Sequence, residues 1–281
     1  MTIKNQVKTA VLLALLTALL LWIGSFFGKT GFYFALVFVG IMNFGSYWFS
    51  DRIVLWMYRA KEAKQGEQPK LYKIVREVSK LSGLPMPKVY VIPTNSPNAF
   101  ATGRNPQHAA VAATEGILKL LNEEELKGVI AHEFAHIKNR DILISTVAGT
   151  IAGVISYIAN MFMWSAMFGG RDDDSRGNAI GLIALAIITP LIATIIQLAI
   201  SRSREYFADE TGAKTVKNGN ALADALEKIE KNSNINPMRF GNTATAHLFI
   251  SNPFRGQSML RLFMTHPSTQ ERAKRLRDMK F

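Results

Sequence analysis

Residues 129–137 of the chain read Val129-Ile130-Ala131-His132-Glu133-Phe134-Ala135-His136-Ile137. Side chains four positions apart on a helix lie one turn above the other, so the imidazoles of His132 and His136 project from the same face. Two imidazoles in this arrangement can hold one zinc ion, and a glutamate directly after the first histidine is the usual position for a base beside it. The stretch therefore predicts a helix that binds a metal and carries hydrolytic chemistry.

The residues before this stretch carry the signals of a helix start. Asn122 occupies a capping position, Glu125 completes the capping-box spacing, and further acids add negative charge to the first turn. Apolar residues then follow at helical period, at Leu126, Val129, Ile130, Phe134 and Ile137. The alternative, a helix with two solvent-facing histidines and an incidental glutamate, leaves this setting unexplained. We therefore predict a metal helix that starts at residue 122 or 123.

Apolar residues are concentrated in four uncharged runs. The chain has 281 residues, 48% of them hydrophobic, and the runs cover residues 9–27, 30–50, 142–168 and 178–201. Each reaches or approaches the ~20 residues that a helix needs to cross the hydrocarbon layer, where backbone groups must pair internally. We predict two transmembrane helical hairpins, residues 1–50 and 142–201. A buried soluble hairpin is the alternative for the second pair.

The charges predict which side of the membrane each segment occupies. The net charge is +12, and the chain has no cysteine, which excludes disulfides and thiolate metal ligands. Residues 169–177 contain two arginines and three aspartates, whereas basic residues flank the opposite ends of the runs. By the positive-inside rule, the N-terminus, residues 51–141 and residues 202–281 lie in the cytoplasm. The chain shows no nucleic-acid-binding motif, and we predict no nucleic-acid partner.

The segment between the hairpins has a mixed pattern of helices and strands. Residues 71–81 have the period of an amphipathic helix that ends before Gly83 and Pro85. Residues 88–92 and 109–113 have the composition of short strands, and a helix over 114–121 precedes the metal helix. We therefore predict that residues 51–141 form the first part of an α+β domain, which residues 202–281 complete.

Catalytic zinc takes three protein ligands, so the histidine pair requires a partner from elsewhere. An antiparallel hairpin over residues 142–201 would bring its two ends out side by side, next to the metal helix. The first acids after it are Glu205 and Asp209, four residues apart and therefore on one helical face. We predict Glu205 as the third ligand and Asp209 as a carboxylate that fixes a ligand histidine. The alternative ligands are Asp209, Glu210, His247 and His266.

Four further segments carry distinctive motifs. They are Asn98-Ala99-Phe100-Ala101, Arg204-Glu205-Tyr206-Phe207-Ala208-Asp209, His247-Leu248-Phe249-Ile250 with Asn252-Pro253, and His266-Pro267-Ser268 leading to Arg272. Together with the metal helix they extend over nearly the whole chain, and they resemble the HtpX-type membrane metalloproteases, in the family shared with the CAAX prenyl proteases. The resemblance implies an α-helical integral membrane protein with four transmembrane helices and an α+β zincin-like (gluzincin) protease domain on the cytoplasmic side.

The same resemblance implies roles for single residues. It agrees with His132, His136 and Glu205 as the ligands of one Zn²⁺ per chain and with Glu133 as the catalytic base. It implies a substrate-binding edge strand, to which a peptide would add as a further strand, at Asn98, Ala99, Phe100 and Ala101. His266 is expected to take part in catalysis, and Arg272 to contact the substrate. His247 is more simply explained as structural.

The resemblance further implies a zinc endopeptidase of the bacterial inner membrane that cleaves misfolded or damaged membrane proteins, as quality control under stress. Its expected partners are membrane-protein substrates, the lipid bilayer, and a second copy of itself or other quality-control proteases. The alternatives are a CAAX-type processing protease, which would require a prenylated cysteine, and a non-catalytic metal-binding membrane scaffold. An intramembrane protease is disfavoured because the charged residues on both sides of the metal helix would be costly in hydrocarbon.

Overall fold

The computed structural model describes residues 2–25, 28–152, 202–241, 243–254 and 267–281. Its N-terminal part is a pair of helices, α1 (Thr2–Ser25) and α2 (Gly28–Met57), which contain most of the first two apolar runs. The two helices pack together, and Asn43 donates a hydrogen bond to the Thr17 hydroxyl between them, at 2.9 Å. Such polar contacts stabilise helix pairs that share no aqueous surface.

Helix α2 exposes an apolar stripe along its length. Within the described residues it is the helix that is both long and apolar enough to cross a membrane, and only 11% of its most apolar window is buried. Phe34, Val37, Ile41 and Phe44, spaced at three and four residues, are each more than 60% exposed. A stripe of this size is unfavourable in water and is the surface that a lipid-facing helix presents.

A four-stranded sheet follows, with the strand order β1-β2-β4-β3. The strands are β1 (Lys61–Glu62), β2 (Lys88–Ile92), β3 (Ala99–Gly103) and β4 (Ala109–Thr114). The pairing of β2 with β4 is parallel, and the other two pairings are antiparallel. Every residue of β3 and β4 is buried, and their small side chains allow a helix to pack closely on the sheet. Strand β3 lies at the edge of the sheet, as the resemblance implied.

The metal helix lies at the centre of the domain. It is α5 (Glu123–Lys138), and it packs against β3 and against helix α3 (Pro69–Ser82), while the short helix α4 (Glu115–Leu120) precedes it. Its start confirms the predicted capping box, because the Asn122 side chain accepts from the Glu125 backbone and the Glu125 side chain accepts from the Asn122 backbone. Eleven of its sixteen residues are buried, so the helix is held on nearly all sides.

Helix α6 (Asp141–Ala152) begins directly after the metal helix and lies against the N-terminal helices. Thr150 donates to the backbone carbonyl of Ser50 at 3.5 Å. Buried residues from Leu143 to Ile151 pack against Leu13, Leu20 and Met42. This helix contains the start of the third apolar run. The rest of that run and the whole of the fourth lie outside the described residues, so the second hairpin stays a prediction.

Among its described residues, the C-terminal part adds three α-helices and a 3-10 turn to the domain. These are α7 (Arg202–Val216), α8 (Gly219–Ile235), the 3-10 turn Thr243–Leu248 and α9 (Thr269–Arg277). Helix α7 packs along α5, and both α5 and α9 pack on α8. Gly128 of α5 lies so close to α8 that an added Cβ would meet the Leu222 backbone at 3.1 Å. The two segments on either side of residues 142–201 therefore share one hydrophobic core.

Candidate metal centre

The two histidines of α5 point towards a common position. Their Nε2 atoms are 3.2 Å apart; His132 is only 1% exposed, and His136 is partly buried. In a tetrahedral zinc site with bonds of ~2.1 Å, neighbouring ligand atoms are about 3.4 Å apart. The separation of these nitrogens therefore already fits two ligands of one ion.

Glu205 brings a third ligand atom to the same position from α7. Its carboxylate oxygens lie 3.8 Å from Nε2 of His132 and 3.6 Å from Nε2 of His136. Among the described residues, these three side chains form the group whose ligand atoms lie within 4.8 Å of one another. The structure thus brings together the residues that the sequence predicted as ligands, although Glu205 lies more than sixty positions after the two histidines.

The opposite nitrogens of the two imidazoles face carboxylates. Nδ1 of His132 lies 2.9 Å from Oδ1 of Asp209, and Nδ1 of His136 lies 3.4 Å from Oδ2 of Asp141. A carboxylate at Nδ1 keeps the ring proton there and leaves Nε2 as an acceptor. When both rings are neutral, two imidazole lone pairs and a carboxylate converge without a donor between them, and this set of atoms fits a metal cation.

The pKa of His136 reflects the same demand for positive charge. Burial alone would lower this pKa, but the hydrogen bond to Asp141 and the negative charge of Glu205 outweigh burial and raise it to about 9. A proton on His136 therefore supplies part of the positive charge that a bound metal ion would supply in full.

Asp209 is fixed in turn by Arg272. The Arg272 guanidinium donates to both carboxylate oxygens of Asp209, at 2.8 and 2.7 Å, and to the Ile250 carbonyl at 3.0 Å. Burial would raise the pKa of Asp209, but the charge and hydrogen bonds of Arg272 hold it below its usual value. Arg272 is only 2% exposed and lies behind the ligands. In this arrangement Arg272 holds Asp209 in place. Its predicted contact with a substrate stays a prediction.

Glu133 lies beside the ligand cluster and is held by the edge strand. Its Oε2 accepts a hydrogen bond from the Ala101 backbone N–H at 2.7 Å. Burial, with 2% of the residue exposed, is the main cause that raises the pKa of this carboxyl, and the charge of Glu205 adds to it. A carboxylate with a raised pKa is a stronger acceptor of protons, which suits the base that the sequence predicted.

The outer edge of β3 is partly covered by the chain itself. Alternate residues of a strand turn their backbone groups outward, and here the Ala99 carbonyl accepts from the Ile250 N–H at 3.1 Å. The neighbouring Asn98 side chain donates to the Ser251 carbonyl at 2.7 Å. With Ala101 bonded to Glu133, a peptide strand has few free groups to pair with. The predicted addition of a substrate to this edge stays a prediction, and a peptide that paired with Ala99 would replace its bond with Ile250.

The cleft at the cluster is correspondingly small. Its cavity has a volume of about 30 Å³, enough for an ion with a water molecule or two. The walls of the cavity include Ser145, Arg204 and His247, for which the sequence predicted no catalytic role. His247 hydrogen-bonds through Nε2 to the Ser145 carbonyl at 3.1 Å, which ties the 3-10 turn to α6. His266 lies outside the described residues, so its predicted catalytic role stays a prediction.

Two histidines and a carboxylate around one point, a buried glutamate beside them and an edge strand along the cleft together define a metallopeptidase centre. Residues 65–280 match the family described as Peptidase family M48. The chain belongs to this family, as the sequence motifs indicated. The metal ion expected of such a peptidase would be held by His132, His136 and Glu205.

Close relatives cover nearly the full length of the chain. A protein named "Protease HtpX homolog" from Syntrophobacter fumaroxidans is 53% identical over 98% of this chain and 99% of its own. Proteins of the same name from Pyrococcus furiosus and Aquifex aeolicus are 52% and 54% identical, over 99% and 92% of this chain and 96% and 87% of theirs.

A solved structure shares the fold at lower identity. The crystal structure of S. mikatae Ste24p matches with a TM-score of 0.52 and 19% sequence identity. The match covers 99% of this chain and 66% of that protein, so the present chain spans about two thirds of its length. The likeness concerns the fold alone.

Proposed function

We propose that the protein is a zinc-dependent endopeptidase that hydrolyses peptide bonds of misfolded or damaged membrane proteins at the cytoplasmic face of a bacterial inner membrane. The observation that carries this proposal is the convergence of three acceptor atoms beside a buried glutamate. Two imidazole nitrogens and one carboxylate oxygen form the ligand set of catalytic zinc sites, which keep one position open for water or substrate. The relatives named as proteases support the hydrolytic role.

The chain's own residues account for the steps of hydrolysis. A zinc ion held by His132, His136 and Glu205 would supply Lewis acidity for the scissile carbonyl and for the attacking water. Glu133 takes the proton of the attacking water on a carboxylate oxygen and passes it to the leaving amine. Ala101 holds the Glu133 carboxylate in place through its N–H, and Asp209 and Asp141 orient the two imidazoles. The nucleophile is water, so no covalent intermediate with the protein forms.

The membrane setting of the proposal rests on helix α2 and on the sequence. The exposed apolar stripe of α2 and the packing of α6 against the N-terminal helices support membrane insertion. Four spans, with residues 1–50 and 142–201 as hairpins and residues 51–141 and 202–281 in the cytoplasm, agree with the apolar runs and the basic flanks. We also propose that its substrates are membrane proteins and that it acts in the stress response. It would assemble with further copies of itself or with other quality-control proteases.

The substitution Glu133→Gln tests the proposed chemistry. Glutamine keeps the shape and the hydrogen bond from Ala101 but cannot accept the proton, so we expect cleavage to fall about 10²- to 10⁴-fold. The assay uses the purified full chain in proteoliposomes, a membrane-protein substrate with a cytoplasmic loop, and zinc analysis of the same sample. The variant should retain one zinc per chain.

A matched control is Glu124→Gln, an exposed glutamate on the first turn of the same helix. It should cleave like the unaltered protein. Undiminished cleavage by Glu133→Gln would remove Glu133 as the base. Cleavage that depends on a prenylated cysteine would favour the CAAX-type alternative, and a zinc-loaded protein that cleaves nothing would favour the scaffold.

A further inference from the structure

Arg204, directly before the ligand Glu205, has an unusual environment. Its side chain is 12% exposed and lines the cavity beside His136 and Asp141. Both terminal nitrogens, Nη1 and Nη2, are buried, and neither makes a hydrogen bond with any residue that the structure describes. A guanidinium carries five N–H donors, and buried donors without acceptors are unfavourable. The arrangement therefore lacks an acceptor at the wall of the cleft.

Asp141 balances the charge of Arg204 but does not satisfy its donors. Oδ1 of Asp141 lies 3.7 Å from Nη1, which is beyond hydrogen-bonding distance, while Oδ2 of the same carboxylate faces His136. The ion pair offsets the cost of burying the positive charge. The N–H groups of Nη1 and Nη2 are therefore left without an acceptor among the described residues.

The other buried arginine of the site shows the contrast. Arg272 donates from all three guanidinium nitrogens, with two hydrogen bonds to Asp209 and one to the Ile250 carbonyl. That pattern is the one expected of an arginine with a positioning role. Arg204 also lies beside the ligand cluster and its side chain lines the cleft. Its Nη1 and Nη2 atoms, however, have no hydrogen-bond acceptor among the described residues.

The missing acceptor is best matched by a neutral oxygen. Because Asp141 already supplies one negative charge next to Arg204, a carboxylate from a ligand would meet repulsion at the same place. A main-chain carbonyl is neutral, is present in every peptide, and accepts from the two prongs of a guanidinium. We propose that Arg204 binds a main-chain carbonyl of the peptide substrate close to the scissile bond. This inference rests on the proposed peptidase function and identifies a substrate-binding residue for it.

The test measures peptide binding without turnover. Zinc-loaded Glu133→Gln protein binds a fluorescent peptide and a series of analogues, in each of which one amide is replaced by an alkene isostere that lacks the carbonyl. N-methylated analogues, which lose only the N–H, serve as controls for the peptide. One isostere is expected to bind about 10- to 100-fold more weakly than the parent, as for a lost hydrogen bond to a charged group. In Glu133→Gln with Arg204→Met, that isostere and the parent should bind equally.

Two further variants keep the test decisive. Arg204→Lys retains the charge without the planar fork and should recover only part of the difference, and it replaces Arg204→Met if the latter loses fold or zinc. Arg76→Met, an exposed arginine on α3 whose partner is Gln65, should leave all affinities unchanged.

The proposal is overturned if every isostere loses the same affinity with and without Arg204. It is also overturned if the Arg204-dependent part of binding follows an acidic side chain or the terminal carboxylate of the peptide. Both results are obtained by binding, so they are distinct from a failure of the proposed hydrolysis, which would appear as absent cleavage by the unaltered protein.

Discussion

At the scale of the residue, a carboxylate lies behind each of the two histidines, within 2.9 Å of Nδ1 in His132 and 3.4 Å in His136. Asp209, four residues after Glu205, was predicted for this role, because the spacing places it on the same face of a helix. Asp141 was not predicted, because five residues separate it from His136 and this spacing does not share a helical face. Helix α5 ends before Arg140, whose φ of 57° lies in the left-handed region. The turn at this residue places Asp141 beside His136.

A pH prediction follows from His136. Its pKa in the metal-free folded protein is raised to about 9, above the 6.5 of an ordinary histidine, so its contribution to stability is complete below pH 6.5 and is lost as the pH rises through about 9. The melting temperature of chelator-treated protein should therefore fall between pH 6.5 and 9.5. Metal-free His136→Gln, which has no such proton, should show a smaller fall. An equal fall in both proteins would contradict the assignment.

At the scale of the element, much of the domain follows from local pattern. The helix predicted over residues 71–81 is found as Pro69–Ser82, the strand over 88–92 has the same bounds, and the metal helix starts at its predicted cap. The two-residue strand β1 was not predicted, because Lys61–Glu62 carries no strand pattern of its own. The contact of Ile250 with β3 was also missed, because it joins residues about 150 positions apart and depends on tertiary packing.

The packing of α7 on α5 determines whether Glu205 reaches the histidines, and it depends on Gly212. A Cβ at this position would lie 2.8 Å from the backbone nitrogen of His132. We expect Gly212→Ala to push the helices apart, lower the free energy of unfolding by about 1–3 kcal/mol and weaken metal binding. Thermal melts and chelator competition measure both effects.

Gly45→Ala is the matched control for that substitution, since a Cβ added at this position on α2 would meet no atom of the described residues within 4 Å. It should retain both metal affinity and melting temperature. If Gly212→Ala bound zinc as tightly as the unaltered protein, the close approach of the two helices would not be needed to place Glu205.

At the scale of the whole molecule, the three predicted ligands come from two segments of the chain. A long apolar insertion separates these segments in the sequence. The sequence predicted this meeting, because the ends of an antiparallel hairpin emerge together. The covering of the cleft by the chain's own segment near Ile250 was beyond sequence patterns, since hydrogen bonds to an edge strand leave no mark on hydropathy or spacing. The full length of the insertion and its four spans stay part of the proposal.

We propose that the bilayer surface lies at the level of Ser50, so that the first turns of the predicted third span stand outside it. The distance from this level to the ligands then predicts where substrates are cut. Thr150 contacts Ser50, at the end of the second apolar run, and Asp141 lies nine residues earlier on α6. At 1.5 Å per residue the cluster stands roughly 13 Å above that level, which an extended chain spans with about four residues. Substrates with a cleavable sequence four, eight or twelve residues from a transmembrane helix should be cut. A substrate with that sequence one residue from the helix should not be cut. Cleavage at one residue would contradict this geometry.

The central claim is that His132, His136 and Glu205 hold one catalytic metal ion, and anomalous diffraction at the zinc edge from crystals of the zinc-loaded protein tests it most directly. The account predicts a single strong peak per chain, about 2.0–2.2 Å from Nε2 of both histidines and from a Glu205 oxygen. It also predicts that Glu205→Ala loses most of this peak at the same zinc concentration. A peak at other side chains, or full occupancy without the Glu205 carboxylate, would contradict it.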